Sequence, residues 1–209
     1  LVKDVEFKVF KETVAKGGVV KAIKVKGGAK FSRAEMDKLE EGAKGLGAKG
    51  LAWIALTAEG VKSPIVKFFK PAEVDAIVAR LKGESGDTLI FVADTFKTAN
   101  QVLGALRLEL GKKLGLIDQN SFHFVWVTDF PLLEYSETDK RWVSNHHPFT
   151  APDGDWEKLE ERFAKDPGAI RAQAYDIILN GTEIGGGSIR IHRPEVQAVV
   201  FKLLKLEAE

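Results

Sequence analysis

The chain has 209 residues, 44% of them apolar, no cysteine, and a formal net charge of +1. That length and apolar fraction suffice for one substantial core or two modest ones, and the missing cysteines exclude a disulfide framework and a thiolate metal site. With no apolar run of about 18 residues and no apolar signal core in the opening LVKDVEFK, the expectation is a soluble, cytoplasmic protein with no membrane contact.

Residues 6–16 predict a first helix, with Phe7, Phe10 and Val14 on one stripe and Gly17-Gly18 ending it. Residues 19–26 alternate, Ile23 and Val25 against Lys24 and Lys26, as a half-buried strand does. Ser32 followed by Glu35 is a capping-box pattern that opens a second helix, whose apolar face is Met36, Leu39, Ala43 and Leu46. Residues 51–56 read as a short strand, with 65–69 as its return partner after the turn at Glu59-Gly60. Pro71 opens a third helix on Val74, Ile77, Val78 and Leu81. Residues 88–93 are apolar throughout, the pattern of a central strand covered on both faces, and 98–113 form a helix with Val102, Leu103, Leu106 and Leu110 inward. Strands with helices returning to the same side make an α+β domain, and it contains no histidine and no catalytic constellation. Residues 1–117 hold 21 Lys and Arg against 14 Asp and Glu, a charge of +7, and residues 118–209 carry −6. The two spans are read as separate domains. The first is either a basic module near a polyanion or an ordinary surface of solvating lysines.

All four histidines fall in the second span. There 122–128 is an apolar strand interrupted by Pro131, and 132–135 with 141–144 makes a hairpin around SETDK. In the following HHPFT, His146 and His147 point opposite ways in an extended chain, which suits a zinc site poorly and leaves either a carboxylate-meeting loop or a turn fixed by Pro148. Residues 155–165 predict a peripheral charged helix with Trp156, Leu159 and Phe163 on one side. Pro194 starts the last helix, on Val196, Val199, Val200, Leu203 and Leu204, before an unstructured EAE.

Between these helices, YDIILNGTEIGGGSIRIH reads as two strands, 175–179 and 182–192, joined by Asn180-Gly181, a pair suited to a type I′ turn. Counting back from the turn pairs Ile178 with Glu183, Ile177 with Ile184 and Asp176 with Gly185, so Asp176, Ile178, Glu183 and Gly185 share a face. The two carboxylates are then diagonal neighbours about 7 Å apart. They either hold one hard cation such as Mg²⁺ with a nucleotide's phosphates or are surface acids on a solvated hairpin. Gly185, Gly186 and Gly187 forfeit packing in a strand, which makes sense where a ligand or backbone approaches closely.

AYDIILNGTEIGGGSIRIHRPEVQ, with FVWVTDFPLLEY and HHPFT upstream, resembles the bacterial type of aspartyl-tRNA synthetase, a class II aminoacyl-tRNA synthetase, and residues 6–118 resemble its GAD-type insertion domain. The resemblance covers essentially the whole chain but only the middle of that enzyme. No anticodon-binding barrel, motif 1, arginine-bearing motif 2 or motif 3 occurs in the sequence. It implies a GAD-like domain at 1–117 followed, at 118–209, by part of a class II antiparallel sheet with flanking helices. The implied reaction is activation of aspartate with ATP to aspartyl-adenylate and transfer to tRNA, by a parent enzyme that is a homodimer. The implied roles are Asp176 and Glu183 on Mg²⁺ with ATP, Arg190 on the aspartate side chain, Ser188 and Gly185 to Gly187 lining the substrate, and His146 and His147 closing over it. No residue serves as nucleophile or base, because such chemistry runs on positioning and charge neutralisation. The 209 residues alone are expected to be inactive. The other readings are a non-catalytic module that binds tRNA or protein, and an unrelated nucleotide-binding protein resting on GTEIGGGS, which lacks P-loop spacing.

The parity of the second strand adds a geometric expectation. Glu183 and Arg190 are seven residues apart and face opposite ways in a regular strand, so a shared pocket requires one extra residue. A β-bulge within Gly185 to Ser188 is predicted to supply it.

Overall fold

The structure, a computed structural model, describes residue 2 and residues 5–206, and the predicted loose end at 207–209 lies outside them. The described chain divides into two compact units, Leu1–Asp118 and Gln119–Glu209.

The first unit is an antiparallel sheet in the order β1-β4-β2-β3, with β1 at Val19–Val25, β2 at Ala52–Thr57, β3 at Gly60–Lys62 and β4 at Thr88–Asp94. Alternation along β4 decides the layers. Ile90 and Val92 enter one core with α2 (Arg33–Gly45) and α4 (Phe96–Lys113), while Leu89 and Phe91 enter another with α1 (Lys8–Ala15) and α3 (Pro71–Leu81). The helices therefore cover both faces, not one side as the sequence suggests, because β4 is apolar at every position from Leu89 to Ala93 and each face needs a cover. Burying each of these large side chains contributes about 1.5–3 kcal/mol.

Local signals explain most of the boundaries. Ser32 Oγ accepts from Glu35 N, and the Glu35 carboxylate accepts from Ser32 N at 2.8 Å, completing the capping box. Leu46, expected on the buried face of α2, is instead an exposed C-cap residue. The return partner of β2 is β3, not 65–69. Thr57 pairs with Gly60 across a two-residue turn, Pro64 then breaks the strand, and Val66–Phe68 coils into a single 3₁₀ turn.

The second unit has a three-stranded antiparallel sheet, order β5-β8-β9, made of Phe124–Val127, Ala174–Leu179 and Thr182–Ser188. A separate hairpin, β6 (Leu133–Ser136) with β7 (Arg141–Ser144), forms around SETDK as expected. Its core gathers Leu132, Leu133, Ile170 and Ala172 with residues of α5 (Leu159–Lys165) and α6 (Pro194–Leu204). Leu159 is 0% exposed, so α5 is anchored in the core rather than peripheral, and residues 155–158 lie outside the helix. Asn180 (φ 49°) and Gly181 (φ 85°) form the left-handed pair of the hairpin turn. The Asn180 side chain also accepts from His123 N at 2.9 Å and donates to Ser121 O at 2.8 Å, which pins the start of β5 beside the turn.

Candidate functional site

The hairpin β8–β9 sets the site. Leu179 pairs with Thr182 and Ile178 with Glu183 as predicted, but Ile177 then pairs with Gly185, Asp176 with Gly186 and Ala174 with Ser188. Ile184 is the extra residue. The break thus stands immediately before the predicted window of Gly185 to Ser188, and it moves Gly185 off the acidic face and puts Gly186 there. Side-chain alternation then places Asp176, Glu183, Gly186 and Ser188 on one face, and Arg190, past the end of β9, is linked to Ser188 on that face through His147 and Thr150. A bulge at Ile184 rather than among the glycines follows from their use. A Cβ on Gly186 would overlap the Asp176 carboxylate, and one on Gly187 would lie 2.9 Å from the Tyr175 hydroxyl and 3.1 Å from its ring. The glycines are filled by cross-strand partners, so the ladder there must stay in register.

Beyond Ser188 the strand is held by the HHPFT segment. Thr150 bridges Arg190, Ala151 N donates to Ile189 O at 2.8 Å, and Ile191 N donates to Phe149 O at 2.9 Å. These bonds bring His147 to Arg190, whose Nη1 lies 3.0 Å from His147 Nδ1. Phe149 N donates to the same nitrogen at 3.2 Å. Guanidinium and backbone N–H are donors only, so His147 Nδ1 must be an unprotonated acceptor and any ring proton sits on Nε2. Burial first, and then the positive charges of Arg190 and His146, hold the His147 imidazole below the usual histidine range. His146 points elsewhere. Its ring meets Phe130 edge-on at 4.8 Å and its Nδ1 lies 3.3 Å from Asn145 Nδ2. Only His147 of the two adjoins Arg190.

Two residues, one in this cluster and one on the opposite face of the hairpin, carried no signal in the spacing. Thr150 is 2% exposed, with Oγ1 3.4 Å from His147 Nδ1 and 3.5 Å from Ser188 Oγ. Tyr175 covers Gly187 and stacks edge-on against Trp126. A buried threonine beside a histidine is visible only once strands pair.

Among the described residues, no group of three or more His, Asp or Glu could hold a metal ion unaided. Asp176 and Glu183 share a face, and two carboxylates are a donor set that Mg²⁺ takes together with water and phosphate oxygens.

An antiparallel sheet with a bulged, glycine-filled strand and an arginine–histidine cluster thus follows a basic, three-layered domain. Residues 10–103 match the GAD domain, and the first unit carries that domain. Over its whole length the chain is similar to bacterial aspartate–tRNA ligases. It is 54% identical over 210 residues to the aspartate–tRNA(Asp/Asn) ligase of Moorella thermoacetica, covering 100% of this chain and 34% of that protein. With that of Geotalea uraniireducens it shares 54% over 205 residues, 98% of this chain and 34% of the relative, and with the aspartate–tRNA ligase of Agathobacter rectalis 51% over 211 residues, 100% and 35%. The chain spans about a third of the length of the curated relatives it matches.

Proposed function

We propose that the chain forms part of an aspartate–tRNA ligase of class II type, which activates aspartate with ATP and transfers it to tRNA. The observation that carries this reading is that the Ile184 bulge puts Ser188 on the face of Asp176 and Glu183, with Arg190 and His147 beside it. Mg²⁺ would be held by Asp176 and Glu183, and it supplies charge neutralisation at the phosphates. Arg190 presents a planar fork that meets the aspartate carboxylate with two parallel hydrogen bonds. Neutral His147 braces that fork from the side and adds no competing charge. Ser188 and Thr150 line the substrate with hydroxyls, Gly186 on the same face makes room for the Asp176 carboxylate, and His146 reaches the site only if the 145–148 turn closes. Every side chain positions or neutralises, and none is a nucleophile or base.

The same reading assigns residues 1–117 to the GAD-like insertion and 118–209 to the catalytic sheet, in a cytoplasmic, homodimeric parent enzyme. No helix among the described residues is long and apolar enough to cross a membrane. In the full-length protein, Arg190→Lys should depress aspartate-dependent ATP–pyrophosphate exchange mainly by raising the KM for aspartate. A KM rise for ATP with that for aspartate unchanged would refute the assignment of Arg190. The 209 residues by themselves should exchange poorly. They lack the arginines of motifs 2 and 3, and losing one such donor costs about 10²- to 10³-fold.

The second reading, a non-catalytic tRNA- or protein-binding module, draws on the +7 charge of residues 1–117. It predicts weak tRNA binding, without sequence preference, that falls steeply with salt. Filter binding at two salt concentrations tests it, and salt-independent or undetectable binding would count against it.

A further inference from the structure

The turn that carries His147 is tied to α6 by a contact the chemistry above leaves unused. Before the turn, Asn145 N donates to Leu132 O at 3.1 Å, and after it Phe149 O accepts from Ile191 N and Ala151 N donates to Ile189 O. Between these anchors Thr150 N closes on His147 O at 3.2 Å, and Pro148 has no N–H to offer. The Pro148 carbonyl instead accepts from Gln197 Nε2 at 2.9 Å, across 49 positions of chain. A carbonyl only accepts, so the amide presents its N–H₂ there.

The tether stands on a fixed support. Val196, Val200 and Leu204 are buried and hold α6 in place. Gln197 and Phe201 are four residues apart and so neighbours on one face of the helix, and the Phe201 ring meets that of Phe149 edge-on at 6.1 Å. Three consecutive turn residues are therefore gripped by one stretch of chain: His147 by Arg190, Pro148 by Gln197, and Phe149 by Ile191 and Phe201. Arg190 itself is exposed, and its guanidinium makes no ion pair among the described residues, so its direction depends on His147.

We propose that Gln197 is a positioning residue for Arg190: by fixing the Pro148 carbonyl it sets the His147 ring where it aims the guanidinium at the aspartate carboxylate. The inference rests on the reading of Arg190 as the group that meets aspartate. With the tether in place, the fork is directed before substrate arrives, and less of the binding energy goes into ordering a long side chain. Without it, the turn keeps its backbone anchors at Asn145 and Phe149 and loses the one that stands next to His147.

Gln197→Met tests this, because it keeps the length of the side chain and removes only the amide. In the 209-residue chain without substrate, proton NMR titration should find His147 moved back towards the ordinary histidine range. A freed turn takes the ring out of its half-buried place and away from the positive charge of Arg190, leaving His146 as the other cation beside it. In the full-length protein the same variant should raise the KM for aspartate about tenfold in ATP–pyrophosphate exchange and leave the KM for ATP unchanged. Lys202→Gln is the control, since it breaks the 2.8 Å bond from α6 to Glu160 without reaching the turn, and it should change neither His147 nor either KM. An unshifted His147 in Gln197→Met, an unchanged KM for aspartate in that variant, or equal effects in Lys202→Gln would overturn the proposal. If Arg190→Lys raises the KM for aspartate and Gln197→Met does not, the tether alone fails. If neither raises it, Arg190 is misassigned and the proposal falls with it.

Discussion

Arg190 donates from Nη1 to His147 Nδ1 across 3.0 Å, joining two residues 43 positions apart in the chain. The bond exists only while His147 is neutral, since protonation removes the acceptor and sets two cations side by side. The folded chain therefore holds a proton on His147 less well than the unfolded chain does, where the value is about 6.5. Between the two values the unfolded state binds more protons. The contribution to stability is complete above about pH 6.5 and is lost as pH falls below it. Proton NMR titration should find His147 below the ordinary histidine range, and Arg190→Gln should raise it. An unchanged value in that variant would show that the neighbouring charge has no influence.

The two filled glycines separate by mechanism. Gly186→Ala places a methyl where the Asp176 carboxylate lies and 3.2 Å from Tyr175 O; Asp176 can rotate away and the strand need shift only by a few tenths of an ångström, so the fold should survive while Mg²⁺-ATP binding by the full-length protein weakens. Gly187→Ala instead meets the Tyr175 ring on the opposite face, and Tyr175 packs on Trp126. It should change tyrosine and tryptophan fluorescence with less effect on Mg²⁺-ATP. Equal losses of Mg²⁺-ATP affinity in both would mean that the face assignment is mistaken.

Leu159, fully buried in the second core, distinguishes an anchored α5 from a peripheral one. Leu159→Ala should cost about 2–5 kcal/mol in denaturant unfolding of that unit. A cost near that of a surface substitution would restore the peripheral reading.

In the first unit, Glu35 holds the N-terminus of α2 and also accepts from Lys113 Nζ at 2.7 Å, at the far end of α4. The Lys113 hydrogen bond, followed by those from Ser32, lowers its carboxyl to about 2. A lowered carboxylate stabilises the fold above the unfolded value of 4.5 and loses that contribution as pH falls towards 2. Melting of the wild type should decline across that window more steeply than melting of Glu35→Gln, and parallel declines would show the linkage to be negligible. Ser32→Ala should cost about 1 kcal/mol through loss of the cap.

Much of this was legible because the signals are local. The capping box at Ser32, Pro71 and Pro194 at helix starts, and Asn180-Gly181 at the turn each act within a few residues. The two-sided burial of β4 was readable too, from its unbroken apolar run, yet the helix faces were still assigned to one side, because nothing local tells α1 and α3 from α2 and α4. The turn was placed one residue late, at Glu59-Gly60, and its return strand at 65–69 instead of Gly60–Lys62, because the apolar 65–69 imitates a strand while Pro64 decides otherwise. At the site, parity alone demanded an extra residue. Its position at Ile184 depended on Asp176 and Tyr175 occupying the glycines, a contact between strands that no spacing encodes.

The central claim is that the Ile184 bulge turns Arg190 to the face of Asp176 and Glu183 to form one pocket. Titrating the 209-residue chain with a non-hydrolysable aspartyl-adenylate analogue in Mg²⁺, followed by amide chemical shifts, tests it most directly. Saturable shifts at His147, Thr150, Ser188 and Arg190 together with Asp176 and Glu183 are expected. Arg190→Lys should weaken binding about tenfold to a hundredfold through loss of the paired charged hydrogen bonds. Absence of saturable shifts at these residues, or an Arg190→Lys variant that binds as tightly as the wild type, would contradict it.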